Sequence, residues 1–141
     1  MPGNSVTIEI TESILLDINE SIRDKLAAFR NAGMRISLDD FGTGYSSLSY
    51  LRTFDIDFLK IDRSFISNLK RGSKDYALCE AIIVMAHKLG MQVIAEGVET
   101  VDQCDLLAEA GCDFGQGYLF SQPVVARELE EMLDLPVFYI A

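Results

Sequence analysis

Apolar and polar residues alternate one for one along "VTIEIT", where Val6, Ile8 and Ile10 oppose Thr7, Glu9 and Thr11. This period of two predicts a strand over 5–11 with one dry face and one polar face. The alternation recurs in a predicted strand over 34–40, where Ile36 and Leu38 oppose Ser37 and Asp39. It returns in a third over 57–62, where Leu59 and Ile61 oppose Lys60 and Asp62. Further strands are predicted at 91–98 and 112–120. Between them the period becomes helical. From Asp17 to about Ala32, Ile22, Leu26 and Phe29 share a face, Asp17 and Glu20 form a capping-box-like start, and Gly33 ends the run. Helices are also expected over 46–54, 75–89 and 126–134, with another opened by Thr100 and Gln103 and closed by Gly111. The residue pattern contains no linker, low-complexity tract or internal sequence repeat.

This βαβα order implies parallel strands joined by helical crossovers. A doubly wound open sheet buries apolar residues on both faces, whereas these strands keep one face polar. That suits a barrel whose interior leads to a site at the C-terminal ends of its strands. Such barrels need eight βα units and at least about 200 residues, and 141 residues hold about five units. The expected fold is therefore α/β, a partial TIM-like (β/α) barrel of about five parallel βα units, in a single domain over 1–141.

Composition narrows the function. Hydrophobic residues at 49% and charged residues at 24% describe a folded globular chain. No apolar run approaches the ~20 residues that span a bilayer, and the N-terminus does not read as a secretory signal. Cys79, Cys104 and Cys112 are odd in number and widely spaced, which argues against a disulfide framework or a zinc site. A reduced cytoplasm is the default, with the thiols acting as small buried hydrophobes. The net charge of −10 disfavours DNA, RNA and anionic membranes as partners. A phosphate substrate would need a local cation.

Glu9, the pair Asp39 and Asp40, Lys60, Asp62, Glu96 and Gln116 fall at or near strand C-termini. Ionised carboxylates gathered there would each cost several kcal/mol if buried without partners. Oxygen-ligated Mg2+ or Mn2+ removes that cost. Adjacent aspartates can serve two metals if the chain turns after the first. Two ions about 3.5–4 Å apart clamp a phosphodiester and activate water. Lys60 could hold that water or the developing charge, and Glu96 could ligate metal or accept a proton. Each residue also has a plainer reading. Asp39-Asp40 could be a strand-end turn, Glu9 a solvated strand face, and Lys60 with Asp62 a simple ion pair. His87 reads as a surface residue of its helix.

The triplet Asp40-Phe41-Gly42 spells a kinase metal-binding motif, but no Gly-rich GxGxxG loop, β-strand VAIK lysine or HRD loop accompanies it. The "GTGYSS" turn is neither a dinucleotide fingerprint nor a P-loop.

Five stretches, "EITES" (9–13), "LDDFGTGYSSLSYL" (38–51), "FLKIDRSFI" (58–66), "IAEGVET" (94–100) and "GQGYLFSQP" (115–123), closely resemble the C-terminal portion of EAL domains. These are bacterial phosphodiesterases that cleave the second messenger cyclic di-GMP to pGpG. The resemblance implies that Glu9, Asp39, Asp40 and Glu96 ligate two metals, with Asp39 bridging them. It implies that Lys60 orients the attacking water and that Gln116 supports the water network. Glu12 would anchor a mobile loop containing Phe41, Gly42, Thr43, Gly44, Tyr45 and Ser46, which couples dimerisation to metal and substrate binding. Asp62 and Glu99 would support the site, and Gly117, Tyr118 and Pro123 would contact substrate. The early strand bearing the family's Glu-Ala-Leu motif, an asparagine ligand of the first metal and a substrate-binding arginine have no counterpart here. The chain is thus expected to be a truncated EAL domain. Its activity is set against a second expectation, a non-catalytic module that binds metal, cyclic di-GMP or protein and forms a homodimer through an open barrel edge.

Overall fold

The structure, a computed structural model, describes residues 6–16, 19–42, 51 and 53–133. Five strands, β1 (Thr7–Thr11), β2 (Arg35–Phe41), β3 (Phe58–Ile61), β4 (Gln92–Glu96) and β5 (Phe114–Gln116), form one parallel sheet in sequential order. The described helices are α1 (Glu12–Leu16), α2 (Glu20–Asn31), α3 (Arg63–Ile66), α4 (Lys74–Lys88), α5 (Val101–Glu109) and α6 (Ala126–Leu133). The α/β class and the parallel five-strand order are as expected. None of these helices is long and apolar enough to cross a membrane.

The dry face read from the alternation is the core face. Ile36, Leu38, Leu59, Ile61, Val93 and Ala95 are buried against Cys79, Ile82, Ile83 and Ala86 of α4 in one apolar cluster. Burial pushes the Cys79 thiol up to about 12 and the Cys112 thiol to about 11, so both behave as inert hydrophobes. The opposite face carries Glu9, Ser37, Lys60, Ile94 and Glu96, with Phe58 and Phe114 packed edge to face near its base.

Several boundaries differ from the sequence reading. The N-cap of α2 is Asn19, whose side chain accepts from the Ile22 amide at 3.0 Å, and Asp17 lies outside the described residues. The helix expected over 46–54 falls mostly outside them too, although Leu51 and Thr53 are helical. Asp62 leaves the strand and caps the unforeseen α3 through the Ser64 amide at 2.9 Å, so it does not pair with Lys60. The last strand ends at Gln116, because the amides of Phe120 and Ser121 turn back onto the Gly117 carbonyl. The Thr100–Gln103 capping box forms as read.

The hydrogen bonds also reveal a repeat that residue patterning did not. Asp57, just before β3, accepts from Arg30 in the last turn of α2 at 3.1 Å and from the Ile36 amide at 2.8 Å. Asp113, just before β5, accepts from His87 in the last turn of α4 at 2.8 Å and from the Val93 amide at 2.7 Å. Gly33 and Gly90 follow these helices with the same φ of 81°. Two similar units therefore fix β2 and β4 at their bases, and His87 is a structural partner rather than an idle surface residue. Asp113→Ala frees the Val93 amide and one side of His87, and is expected to cost about 1–3 kcal/mol in urea unfolding. A loss below that range would mean the bridge is solvent-exchanged and unimportant.

Candidate metal centre

At its C-terminal end β2 departs from regular pairing. Leu38 pairs with Leu59 and Phe41 with Ile61, so Asp39 and Asp40 together stand opposite Lys60. One extra residue on one strand makes a β-bulge, and Asp40 takes a left-handed φ of 56°. Adjacent side chains on a regular strand point to opposite faces. Here the bulge turns both aspartates toward one site, where carboxylate oxygens of Asp39, Asp40 and Glu96 lie within 4.8 Å of one another. In the second unit the corresponding positions are Glu96 and Gly97, the latter also left-handed at 70°.

Lys60 reaches this group from β3. Its ammonium lies 2.5 Å from Glu96, 2.9 Å from Glu9 and 3.4 Å from Asp39, with only 5% of the side chain exposed. Burial alone would lower its pKa; hydrogen bonds and charges from Glu96, Glu9 and Asp39 outweigh this and hold it above the ordinary lysine value. Lys60 is therefore a fixed cation among carboxylates. Glu9 itself is about half exposed.

Above the acidic group opens a cavity of about 410 Å3. Asp40, Asp62, Glu96 and Glu99 give it an acidic wall, and Gln116, Gly117 and Tyr118 form another side. Hydrogen bonding from Ser64 holds the Asp62 carboxyl below the usual range despite partial burial. Tyr118 is 62% exposed, free to present its ring to the cavity mouth. Gln116 pairs with Glu96 in register, and its carbonyl accepts from the Val98 amide. Gly117 and Gly97 are both places where a side chain cannot fit. A Cβ on Gly117 would stand 2.2 Å from the Val98 carbonyl oxygen, and one on Gly97 would stand 2.6 Å from the Arg63 Cβ.

Most residues singled out from the sequence converge here, but not all. Phe41 is buried, and Gly42 bears a φ of 95° against the Phe65 ring. Thr43, Gly44, Tyr45 and Ser46 lie outside the described residues. Glu12 is buried on α1, and neither carboxylate oxygen has a hydrogen-bond partner among the described residues. Pro123 is exposed and does not line the cavity. Arg63, which sequence reasoning passed over, does line it. Its only signal in the sequence is its place directly after Asp62.

The donor set is all oxygen and anionic, with the convergence that a hard divalent cation requires. Known proteins show the same arrangement of chain. A sequence model of the EAL domain matches residues 1–123. The cyclic di-GMP phosphodiesterase NbdA of Pseudomonas aeruginosa is 48% identical over 127 residues, covering 89% of this chain and 16% of that protein. The EAL enzyme Bd1971, solved in its cAMP- and cyclic-di-GMP-bound form, superposes with a TM-score of 0.90 at 41% identity, covering 96% of this chain and 36% of that one. Klebsiella pneumoniae BlrP1, solved as a manganese and cyclic di-GMP complex, superposes with a TM-score of 0.80 at 36% identity, covering 87% and 31%. The sheet is thus part of a TIM-type barrel in these structural neighbours, and this chain spans only about a sixth of NbdA and about a third of each solved chain. On the family match across most of its length, the chain belongs to the EAL domain family.

Proposed function

We propose that this chain contributes the acidic centre of a cyclic di-GMP phosphodiesterase, which opens cyclic di-GMP to linear pGpG with Mg2+ or Mn2+. The observation that carries the reading is the convergence of Asp39, Asp40 and Glu96 around buried Lys60 at the strand C-termini. Similarity to NbdA, and to structures holding cyclic di-GMP with or without manganese, supports the substrate and cation. A divalent cation supplies polarisation of the phosphoryl oxygen and a lower pKa for water.

The chain's own residues then have distinct tasks. Glu9, Asp39, Asp40 and Glu96 would hold the cation or cations, with Asp39 central to the set. Lys60, kept charged by three carboxylates, orients the attacking water and steadies negative charge on the phosphoryl group. Glu96 would accept a proton, and Gln116 would order water at the edge of β5. Asp62 and Glu99 shape the outer wall. Tyr118 stacks a guanine, Gly117 lets the chain pass close beneath it, and Pro123 extends the contact. Buried Glu12 anchors the loop that begins at Phe41 and Gly42, whose donors would satisfy its two free oxygens. Residues 1–141 would form the C-terminal part of a single EAL domain, acting in the cytoplasm, where the cyclic dinucleotide is made and read.

Incubation with cyclic di-GMP and Mn2+ or Mg2+, followed by chromatography, tests the reading. The expected result is pGpG, lost on chelation of the metal. No turnover at high protein concentration removes hydrolysis from this chain. A non-catalytic homodimer is the second reading, favoured by the single strand neighbour that β1 and β5 each have among the described residues. Light scattering decides it, since a monomer with a cooperative melt contradicts pairing through those edges.

A further inference from the structure

We propose that Arg63 is a substrate-binding residue of this site, holding the phosphodiester of cyclic di-GMP that is not being cut. This rests on the phosphodiesterase reading and adds to it a second anion contact.

The partners of the arginines single it out. Among the described residues Arg30, Arg71 and Arg127 are ion-paired, with Asp57, Glu109 and Glu131. Arg23 and Arg35 lie over the rings of Phe54 and Phe58. Among the described residues Arg63 is in none of these ion pairs or ring contacts; its charge and its backbone amide act instead on the adjacent Asp62 carboxylate. Yet among the described residues it is the only basic one lining the cavity, beside four carboxylates. Lys60 cannot share the task, because three carboxylates already surround its ammonium.

The backbone fixes where Arg63 stands. It is the first residue of α3, capped by Asp62. Its Cβ presses so close to Gly97 that no side chain fits there, which sets the stem beside the end of β4, one residue beyond Glu96. Cyclic di-GMP brings two negative charges, one on each phosphodiester. The inner carboxylates would hold the cations that neutralise the phosphodiester under attack. The other would face Asp62 and Glu99, where Arg63 is the one positive group among the described lining residues. A guanidinium at an acidic rim, outside the side-chain ion pairs that hold the other arginines, is suited to that anion, since its fork binds phosphate oxygens in charge-assisted pairs.

Calorimetric titration of the full chain in Mn2+ tests the assignment with two ligands. Cyclic di-GMP has two phosphodiesters, and linear GpG has one. Arg63→Ala is expected to weaken cyclic di-GMP by about tenfold or more, as loss of a charge-assisted contact does. Affinity for GpG and for Mn2+ should stay within about twofold, and Arg63→Lys should recover most of the loss because phosphate accepts a point charge. The assignment is overturned if Arg63→Ala leaves cyclic di-GMP affinity unchanged, or if it weakens GpG or Mn2+ equally. It is also overturned if lysine is no better than alanine. Absence of cyclic di-GMP binding by the wild-type chain overturns the phosphodiesterase reading first, and this assignment with it.

Discussion

Asp39→Asn is expected to lower Mn2+ affinity by more than about a hundredfold and to abolish turnover of cyclic di-GMP. The substitution keeps the shape of the side chain and removes its charge. Outer partners of metal ligands already cost about 10–100-fold when changed, and Asp39 is proposed as a ligand itself, with a carboxylate oxygen close to those of Asp40 and Glu96. The fold should survive, because Lys60 keeps Glu9 and Glu96 as partners. The measurement is a Mn2+ titration run beside a thermal melt. Unchanged Mn2+ affinity in a folded variant would place the cation elsewhere and remove the basis for the proposed chemistry.

Gly117→Ala should be the most damaging single-methyl change near the site. The added carbon would meet the Val98 oxygen, nitrogen and carbonyl carbon at 2.2, 2.4 and 2.8 Å. These are backbone atoms, tied to the same segment by the Val98 amide on the Gln116 carbonyl and the Leu119 amide on the Val98 carbonyl. No rotamer can relieve the overlap, so β5 must move away from the end of β4. Overpacking usually costs about 1–3 kcal/mol, and this case should reach at least the upper part of that range. Urea unfolding measures it. In the folded fraction, Gln116 and Tyr118 would be displaced and cyclic di-GMP binding weakened. A variant within about 1 kcal/mol of wild type would show that the approach of the two segments is loose in solution.

Gly117 also shows how far a residue's type can mislead about its task. In the sequence it belongs to a motif associated with substrate, and it does line the cavity. Its lack of a side chain, however, answers to the Val98 backbone. A comparable ambiguity attends Asp62, which looks like a partner for Lys60 two residues away. The strand ends between them, and Asp62 turns to the Ser64 amide instead.

The alternation of Ile36 and Leu38 with Ser37 and Asp39, and of Leu59 and Ile61 with Lys60, was enough to assign faces, parallel strands and an acidic end to the sheet. Such periods are local, set by the pleat of each strand, so they can be read without knowing any partner. Chain motifs carried the family for the same reason, as runs of adjacent residues. What pairs with what could not be read this way. The bulge that turns Asp39 and Asp40 together exists only because β3 offers one residue opposite two. The three partners of Lys60 come from β1, β2 and β4, and their meeting depends on the register of four strands. The matched bridges at Asp57 and Asp113, and the approach of Arg63 to Gly97, likewise arise where segments distant in sequence close on one another. The chain's own order set the faces and the chemistry available to them, and the hydrogen-bonded register of the folded sheet decided which groups meet.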